Sequence, residues 1–157
     1  MKSPEHINKR VAKHYWQDDI NCALTTLKIL AETFNTKLHS QVIDASIGMH
    51  GAGGYGAQCG LVEGALMFIG ISDKARGLAD EDLIKNCRKF AEKFESRFTS
   101  LECKTLRPEG FKQDNPPHIC EELTCNAIEF TINFITDLHA KSNQDREKIK
   151  DLRSTQD

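Results

Sequence analysis

Apolar positions recur at helical spacing over most of the chain. The clearest case is "DDINCALTTLKILAETF", residues 18–34, where a single apolar stripe repeats every three or four residues. The stripe comprises Ile20, Ala23, Leu24, Leu27, Leu30, Ala31 and Phe34. This period predicts a helix with one buried face, capped by Asp18 or Asp19. An earlier helix is predicted over residues 4–16, with Ser3 as its cap and Pro4 in the first helical position.

Three later segments have the same period. Residues 57–71 are apolar on nearly every side, which predicts a buried central helix. The next helix opens on the acidic run 80–82, and a last one is predicted over 117–140. Their stripes are Leu83, Ile84, Cys87, Phe90, Ala91, Phe94, Phe98 and Leu101 in the first, and Cys120, Leu123, Ala127, Thr131, Phe134 and Leu138 in the second.

The segments between these helices are less regular. Residues 40–48 fit either a short helix capped by Ser40 or a strand, and residues 72–80 read as a loop. We therefore predict an all-α, single-domain bundle of four to six helices, with a glycine-rich turn before the buried central helix. The domain would occupy residues 1–140, and residues 141–157 would form a charged tail or a frayed helix.

Composition narrows the class of protein. The 157 residues carry 21 basic and 23 acidic side chains, a net charge of −2, so no basic field favours nucleic acid as a partner. No apolar run approaches the roughly 20 residues that a bilayer requires, and residues 1–19 lack the apolar core of a signal peptide. We expect a cytoplasmic protein without membrane insertion. A homodimer is compatible with the apolar central helix, but nothing in the sequence requires one.

Eight of the ten glycines lie between residues 48 and 70. The stretch "GAGGYG", residues 51–56, fits the G-x-G-x-x-G pattern of dinucleotide-binding turns, which needs a strand before it and an acid such as Asp73 or Asp80 after it. No second strand is predicted downstream, so the pattern lacks its sheet. A simpler small-anion site at the helix start stays open, and its residues would be Gly53, Gly54, Gly56 and Gly60.

The six cysteines are the unusual feature of the composition, because structural disulfides are rare in a reducing compartment. They are Cys22, Cys59, Cys87, Cys103, Cys120 and Cys125, and no two form a CxxC motif. The stripe places Cys87 in the core, and Cys125 falls on the opposite side of its helix from Cys120. Cys22 and Cys59 fall in the first turns of predicted helices, where free amides favour a thiolate.

Four thiols, Cys22, Cys59, Cys103 and Cys120, thus come from four separate segments. If the fold brought them together, they would supply either the ligands of an iron–sulfur cluster or another metal ion, or two dithiol/disulfide couples. Spacing alone does not establish that convergence. If the four cysteines act as dithiol/disulfide couples, Cys59 would be the attacking thiolate.

Three further side chains lie close to these cysteines in sequence. Glu63 is one helical turn after Cys59, so it would orient or deprotonate that thiol, ligate a metal, or simply be a solvated carboxylate. His50 and His118 fit loop histidines that face water better than ligands.

The order of these motifs resembles the bacterial and archaeal C-GCAxxG-C-C family, which is described as redox-active. The resemblance runs over residues 17–138, through "NCA" at 21–23, "CGLVEGALMFIG" at 59–70, Cys103 and Cys120. Its motif falls on Cys59, Gly60, Leu61, Val62, Glu63 and Gly64, with Leu61 where the family has alanine. The resemblance implies an all-helical redox domain that uses the four cysteines, and it names no substrate.

The sequence therefore leaves several functions open. The first hypothesis is a redox-active protein, with oxidoreductase activity left open, that works on an unknown redox partner through Cys22, Cys59, Cys103 and Cys120, with Glu63 beside them. The second is a protein that binds a metal or an iron–sulfur cluster through the same four sulfurs, including a structural zinc site. The third is a small-anion binding module built on the glycine turn.

Overall fold

The chain folds as helices, as the periodicity predicts, and the computed structural model describes residues 4–112 and 114–154. Besides a short helical turn at Gly51–Gly54, whose Ala52 and Gly53 have left-handed φ values, the described residues form seven α-helices. They are α1 (Pro4–Trp16), α2 (Cys22–Thr33), α3 (Ser40–Ala45), α4 (Gly60–Ala75), α5 (Asp80–Phe98), α6 (Cys103–Leu106) and α7 (Glu121–Ser154). A 3-10 turn, Ser46–Gly48, follows α3. The count exceeds the predicted four to six because α3 and α6 are short pieces of six and four residues.

No β-strand occurs within the described ranges, so the all-α prediction is confirmed and the strand alternative for residues 40–48 is wrong. Helix α1 has its predicted bounds, while its predicted cap, Ser3, lies outside the described residues. Within the same ranges, no helix combines the length and apolarity that crossing a membrane would require.

Helix α2 starts later than the acidic pair Asp18 and Asp19 suggests. Its cap is Asn21, whose side-chain oxygen accepts a hydrogen bond of 2.9 Å from the amide of Leu24. Asp18 is unavailable as a cap because it accepts a 2.8 Å hydrogen bond from the His14 ring, and Asp19 has the left-handed φ of 48°. The predicted caps were therefore wrong, and Cys22 becomes the first residue of the helix.

The boundaries of α4 and α7 also differ from their predictions. Helix α4 begins at Gly60 rather than at residue 57, and it continues to Ala75, through half of the predicted 72–80 loop. Helix α7 begins at Glu121, because His118 adopts a left-handed φ of 55° after two prolines and interrupts any helix there. Cys120 thus precedes the helix, and residues 141–154 continue it without a break.

The core forms around α4, which packs against α2 on one side and α5 on the other, while α7 packs against α1 and α2. Its largest fully buried side chains come from all of these helices: Phe68, Phe90, Phe94, Leu27, Ile29, Leu30, Leu61, Ile69, Ile128, Ile135, Val11 and Val62. One member of the predicted α5 stripe was wrong, because Ile84 is 64% exposed.

Two glycines set the distance between α2 and α4. A Cβ atom on Gly60 would lie 2.5 Å from the Cys22 sulfur and 2.7 Å from the Met49 carbonyl oxygen. A Cβ atom on Gly64 would overlap the carbonyl oxygen of Ala23. Real Cβ atoms do not approach other atoms this closely, so the two helices reach this separation only because both positions lack a side chain.

This contact predicts opposite effects for two substitutions in the same helix. Gly64→Ala should lower the free energy of unfolding by about 1–3 kcal/mol, because the backbone of α2 must move to admit the new methyl group. Gly70→Ala is the matched control, since nothing lies within 4 Å of the Cβ position there. It should raise stability by about 0.5–1 kcal/mol. Urea unfolding measures both, and a Gly64→Ala protein as stable as wild type would contradict the contact.

Candidate functional site

One cavity of about 260 Å³ opens between the start of α2, the glycine turn, α6 and the segment before α7. Its described lining residues are Tyr15, Asn21, Cys22, His50, Gly54, Cys59, Leu61, Cys103, Leu106, Arg107, Phe111, His118, Ile119, Cys120 and Leu123. Four of the six cysteines line it, and all six are free thiols. The other two, Cys87 and Cys125, lie outside this lining and pack against the edge of the core.

Cys22 reaches the cavity because of the cap that starts α2. The Asn21 amide group also donates a 2.9 Å hydrogen bond to the carbonyl of Ile47, which ties the start of α2 to the chain that leads into the glycine turn. The Cys22 sulfur lies against Gly60, where a side chain would displace it.

Cys59 and Cys103 are positioned by a short antiparallel pairing of the segments 56–59 and 101–104. The Cys59 amide donates to the Leu101 carbonyl at 2.8 Å, and the Cys103 amide donates to the Ala57 carbonyl at 2.7 Å. Gln58 and Glu102 form the bridge between these bonds. Because side chains alternate along extended chain, Cys59 and Cys103 lie on the same face of the pairing, opposite to Gln58 and Glu102.

The glycine turn covers Cys103. Gly51 has a φ of 70°, and a Cβ atom there would lie 3.0 Å from the Cys103 sulfur, so both the backbone conformation and the close approach require glycine. Of the glycines predicted to bind a cofactor, Gly54 lines the cavity and Gly53 is exposed. Gly56 packs on Lys104 and Phe111, and Gly60 on Cys22.

An aromatic cluster holds the wall near Cys120. The His118 ring stacks on Tyr15 with 4.6 Å between ring centroids and meets the edge of Trp16, and its Nε2 lies 3.2 Å from an oxygen of Asp19. The buried Tyr15 hydroxyl is 2.7 Å from the Thr124 hydroxyl. His50 also lines the cavity, so both histidines, which the sequence placed in loops, lie at its wall.

Burial suppresses ionisation of two of the four thiols, Cys59 and Cys22. It raises the pKa of Cys59 to about 12, although the amides of Leu61 and Val62 act in the opposite direction. Burial raises the pKa of Cys22 further still, and the neighbouring cysteines add to the effect. Cys59 is the N-cap of α4 and only 4% exposed. The expectation that a helix start makes Cys59 the ready thiolate therefore fails, because desolvation outweighs the helix amides.

Arg107 opposes the effect of burial on the pKa of the other two thiols, Cys103 and Cys120. Burial also raises the pKa of Cys103 and Cys120, but Arg107 is the next cause for each and acts to lower it. The Arg107 Nε donates to the Gly110 carbonyl at 3.0 Å, and the guanidinium lies 4.9 Å from the centre of the Phe111 ring. Sequence reasoning missed Arg107 because it follows α6 in a loop whose path no periodicity indicates.

Glu63 lies behind the cavity wall rather than in it. The residue is half-buried, and its Oε2 is buried without a hydrogen-bond partner among the described residues. Burial raises the pKa of Glu63, and His50 opposes this. Its charge in turn raises the pKa of Cys103. The sequence paired Glu63 with Cys59, whereas its charge acts on the pKa of Cys103. Its buried oxygen shows that the carboxylate is not fully surrounded by water.

The potential metal ligands among the described residues do not form a metal centre. Among the described residues, no group of three or more histidine, cysteine, aspartate or glutamate side chains is arranged to hold a metal ion. The four cysteines line one cavity, yet as arranged they do not fit the closed ligand set that zinc or an iron–sulfur cluster takes.

The family comparison agrees with the cysteine pattern. A family model described as "Putative redox-active protein (C_GCAxxG_C_C)" matches residues 20–134, which include all four cysteines of the cavity. Neither a curated protein nor a solved structure showed significant similarity to the chain.

The site predicts an order of thiol ionisation. Alkylation by iodoacetamide follows the thiolate, so labelling of Cys59 should still be rising at pH 10, as a pKa of about 12 requires. Cys103 and Cys120, which face Arg107, should reach half of their maximal rate at lower pH than Cys59. Mass spectrometry of each labelled peptide measures the midpoints, with circular dichroism as the control for unfolding. A Cys59 midpoint near 8.5, the value of a free cysteine, would contradict this order.

Proposed function

The chain belongs to the C-GCAxxG-C-C family, and we propose that it is a redox protein that works by thiol–disulfide exchange at the cavity. The observation that supports this most is that cysteines from four distant segments line one cavity. Two cysteines of the same chain, Cys87 and Cys125, do not. Free cysteines used only as small core side chains have no reason to share a cavity wall.

We assign the first couple to Cys120 and Cys103. Arg107 acts to lower the pKa of both thiols, and Cys103 acts to raise that of Cys120, so the two thiols and the guanidinium influence one another. Cys120 is the more exposed of the two, since Cys103 is 9% exposed and covered by the glycine turn. The nucleophile therefore moves from Cys59, the residue favoured by the sequence, to Cys120.

The exchange proceeds in two steps. The Cys120 thiolate attacks one sulfur of a substrate disulfide, forms a mixed disulfide and releases the first substrate thiolate. The Cys103 thiolate then attacks the Cys120 sulfur of that mixed disulfide and releases the second substrate thiolate. The protein loses two electrons and gains one disulfide, the substrate disulfide becomes two thiols, and the two protons of Cys103 and Cys120 pass to the released thiolates.

Cys22 and Cys59 are proposed as the second couple. Burial keeps both thiols protonated at neutral pH, so only their small thiolate fraction would react, by exchange with the neighbouring Cys103–Cys120 disulfide. Glu63, one of whose carboxylate oxygens has no hydrogen-bond partner among the described residues, would accept the Cys103 proton in the second step and pass it to the released thiolate. The scheme uses no metal ion or iron–sulfur cluster, because the described donors do not fit a ligand set.

Serine substitutions test the assignment. Cys120→Ser should abolish reduction of a small disulfide such as 2-hydroxyethyl disulfide by the pre-reduced protein. Cys103→Ser should stop the reaction at the mixed disulfide, because the resolving thiol is missing and burial keeps the remaining cavity thiols, Cys22 and Cys59, protonated at neutral pH. Mass spectrometry detects that adduct as the mass of one substrate half.

Cys87→Ser and Cys125→Ser are the matched controls, since both thiols lie outside the cavity. Each should keep the wild-type rate. Loss of activity in a control variant with the cavity variants unaffected, or a wild-type protein that reduces no disulfide, would overturn the proposed function.

A further inference from the structure

We infer that the cavity selects small disulfides that carry negative charge, with Arg107 as the residue that binds the substrate carboxylate. This inference rests on the proposed thiol exchange and adds the class of substrate. It depends on three features of the described cavity wall: its charge, the orientation of Arg107 and its size.

The wall carries the positive charge of Arg107 without a compensating acid. Arg107 lines the cavity, whereas no aspartate or glutamate is among its described lining residues. The nearest acids lie outside the wall: Asp19 contacts His118, and Glu63 acts on Cys103. The chain as a whole has a net charge of −2, so an anion would be attracted by this site and not by the overall charge of the protein.

Arg107 is held in place by groups that leave most of its donors unused. Its Nε donates to Gly110, and its guanidinium lies over Phe111, which also lines the cavity. The described hydrogen bonds and ion pairs of Arg107 engage only Nε, so its two terminal nitrogens can donate to a carboxylate in the cavity. A planar, anchored guanidinium suits this task, because it binds a carboxylate through two parallel hydrogen bonds.

Size and lining limit the rest of the substrate. A cavity of about 260 Å³ is smaller than most sites for drug-sized ligands, which range from about 300 to 1,000 Å³. Leu61, Leu106, Ile119 and Leu123 supply apolar walls around the thiols. The substrate class is therefore a low-molecular-weight disulfide with a short apolar body and a carboxylate on at least one half. Its carboxylate would bind Arg107 while its disulfide meets Cys120.

Three disulfides of similar size test the inference: 3,3′-dithiodipropionate, 2-hydroxyethyl disulfide and cystamine, which are a dianion, a neutral molecule and a dication. The rate with pre-reduced protein is divided by the rate of dithiothreitol with the same disulfide, which removes intrinsic reactivity. The normalised rate should be about tenfold higher for the dianion than for the neutral disulfide, the size expected for hydrogen bonds to a charged group. It should be lowest for the dication.

Arg107→Gln should lower the ratio of dianion to neutral rates about tenfold, by the same reasoning. The ratio is the readout because loss of Arg107 also makes the thiols less acidic and slows every substrate. Lys104→Gln is the control, since Lys104 lies in α6 just before Arg107, pairs with Glu102 and does not line the cavity. It should leave the ratio unchanged. If Arg107→Gln does not fold, the wild-type protein provides the test. Added salt should then lower its ratio of dianion to neutral rates.

Two results would overturn the inference in different ways. Equal normalised rates for the three disulfides would contradict the anion selectivity without contradicting thiol exchange. The same holds if Arg107→Gln leaves the ratio of dianion to neutral rates unchanged. No reduction of any of the three disulfides would remove the proposed function itself.

Discussion

The close contact of α2 with α4 is the constraint on which the site depends. Gly60 and Gly64 allow the backbone of α4 to meet that of α2 at Ala23, and the Cys22 sulfur occupies the space where a Gly60 side chain would be. The same contact buries Leu27, Leu30 and Leu61. A larger residue at either glycine would separate the helices and move Cys22 away from Cys59, so packing and chemistry depend on the same two missing side chains.

The second requirement is the pairing of residues 56–59 with 101–104, which brings two distant cysteines onto one face. It lies between the glycine turn and α6, and Gly51 closes over Cys103 from above. Burial then raises the thiol pKa values throughout the cavity, and Arg107 counteracts this only for Cys103 and Cys120. Geometry groups four thiols, and electrostatics divides them into the couple that burial keeps protonated and the couple whose pKa values Arg107 acts to lower.

Sequence reasoning found α2 and α5 from their apolar period and α1 from its start signal, and it singled out the four cysteines that line the cavity. It placed the caps of α2 and the start of α7 wrongly, because those ends depend on side-chain contacts and backbone conformations that periodicity does not show: His14 engages Asp18, and a left-handed His118 breaks the chain before Cys120. The pairing that delays the start of α4 to Gly60 joins residues more than forty positions apart, which no local pattern reveals.

The dependence on residues distant in sequence also explains why the predicted thiolate at Cys59 was wrong. A helix start does favour a thiolate, but the rule weighs only local amides, and the depth of Cys59 depends on the whole fold. Arg107 had no motif to mark it, since its importance comes from where the loop after α6 places it. The failed predictions for Cys59 and for the start of α4 both depended on groups distant in sequence.

The central claim is that thiols far apart along the chain meet at one cavity and exchange. Its most direct test is disulfide mapping of the wild-type protein after equilibration with mild oxidant at low protein concentration. Peptide mass spectrometry should find the first disulfide between Cys103 and Cys120 within one chain, with Cys87 and Cys125 still reduced. A first disulfide that includes Cys87 or Cys125, or one that links two chains, would contradict the account.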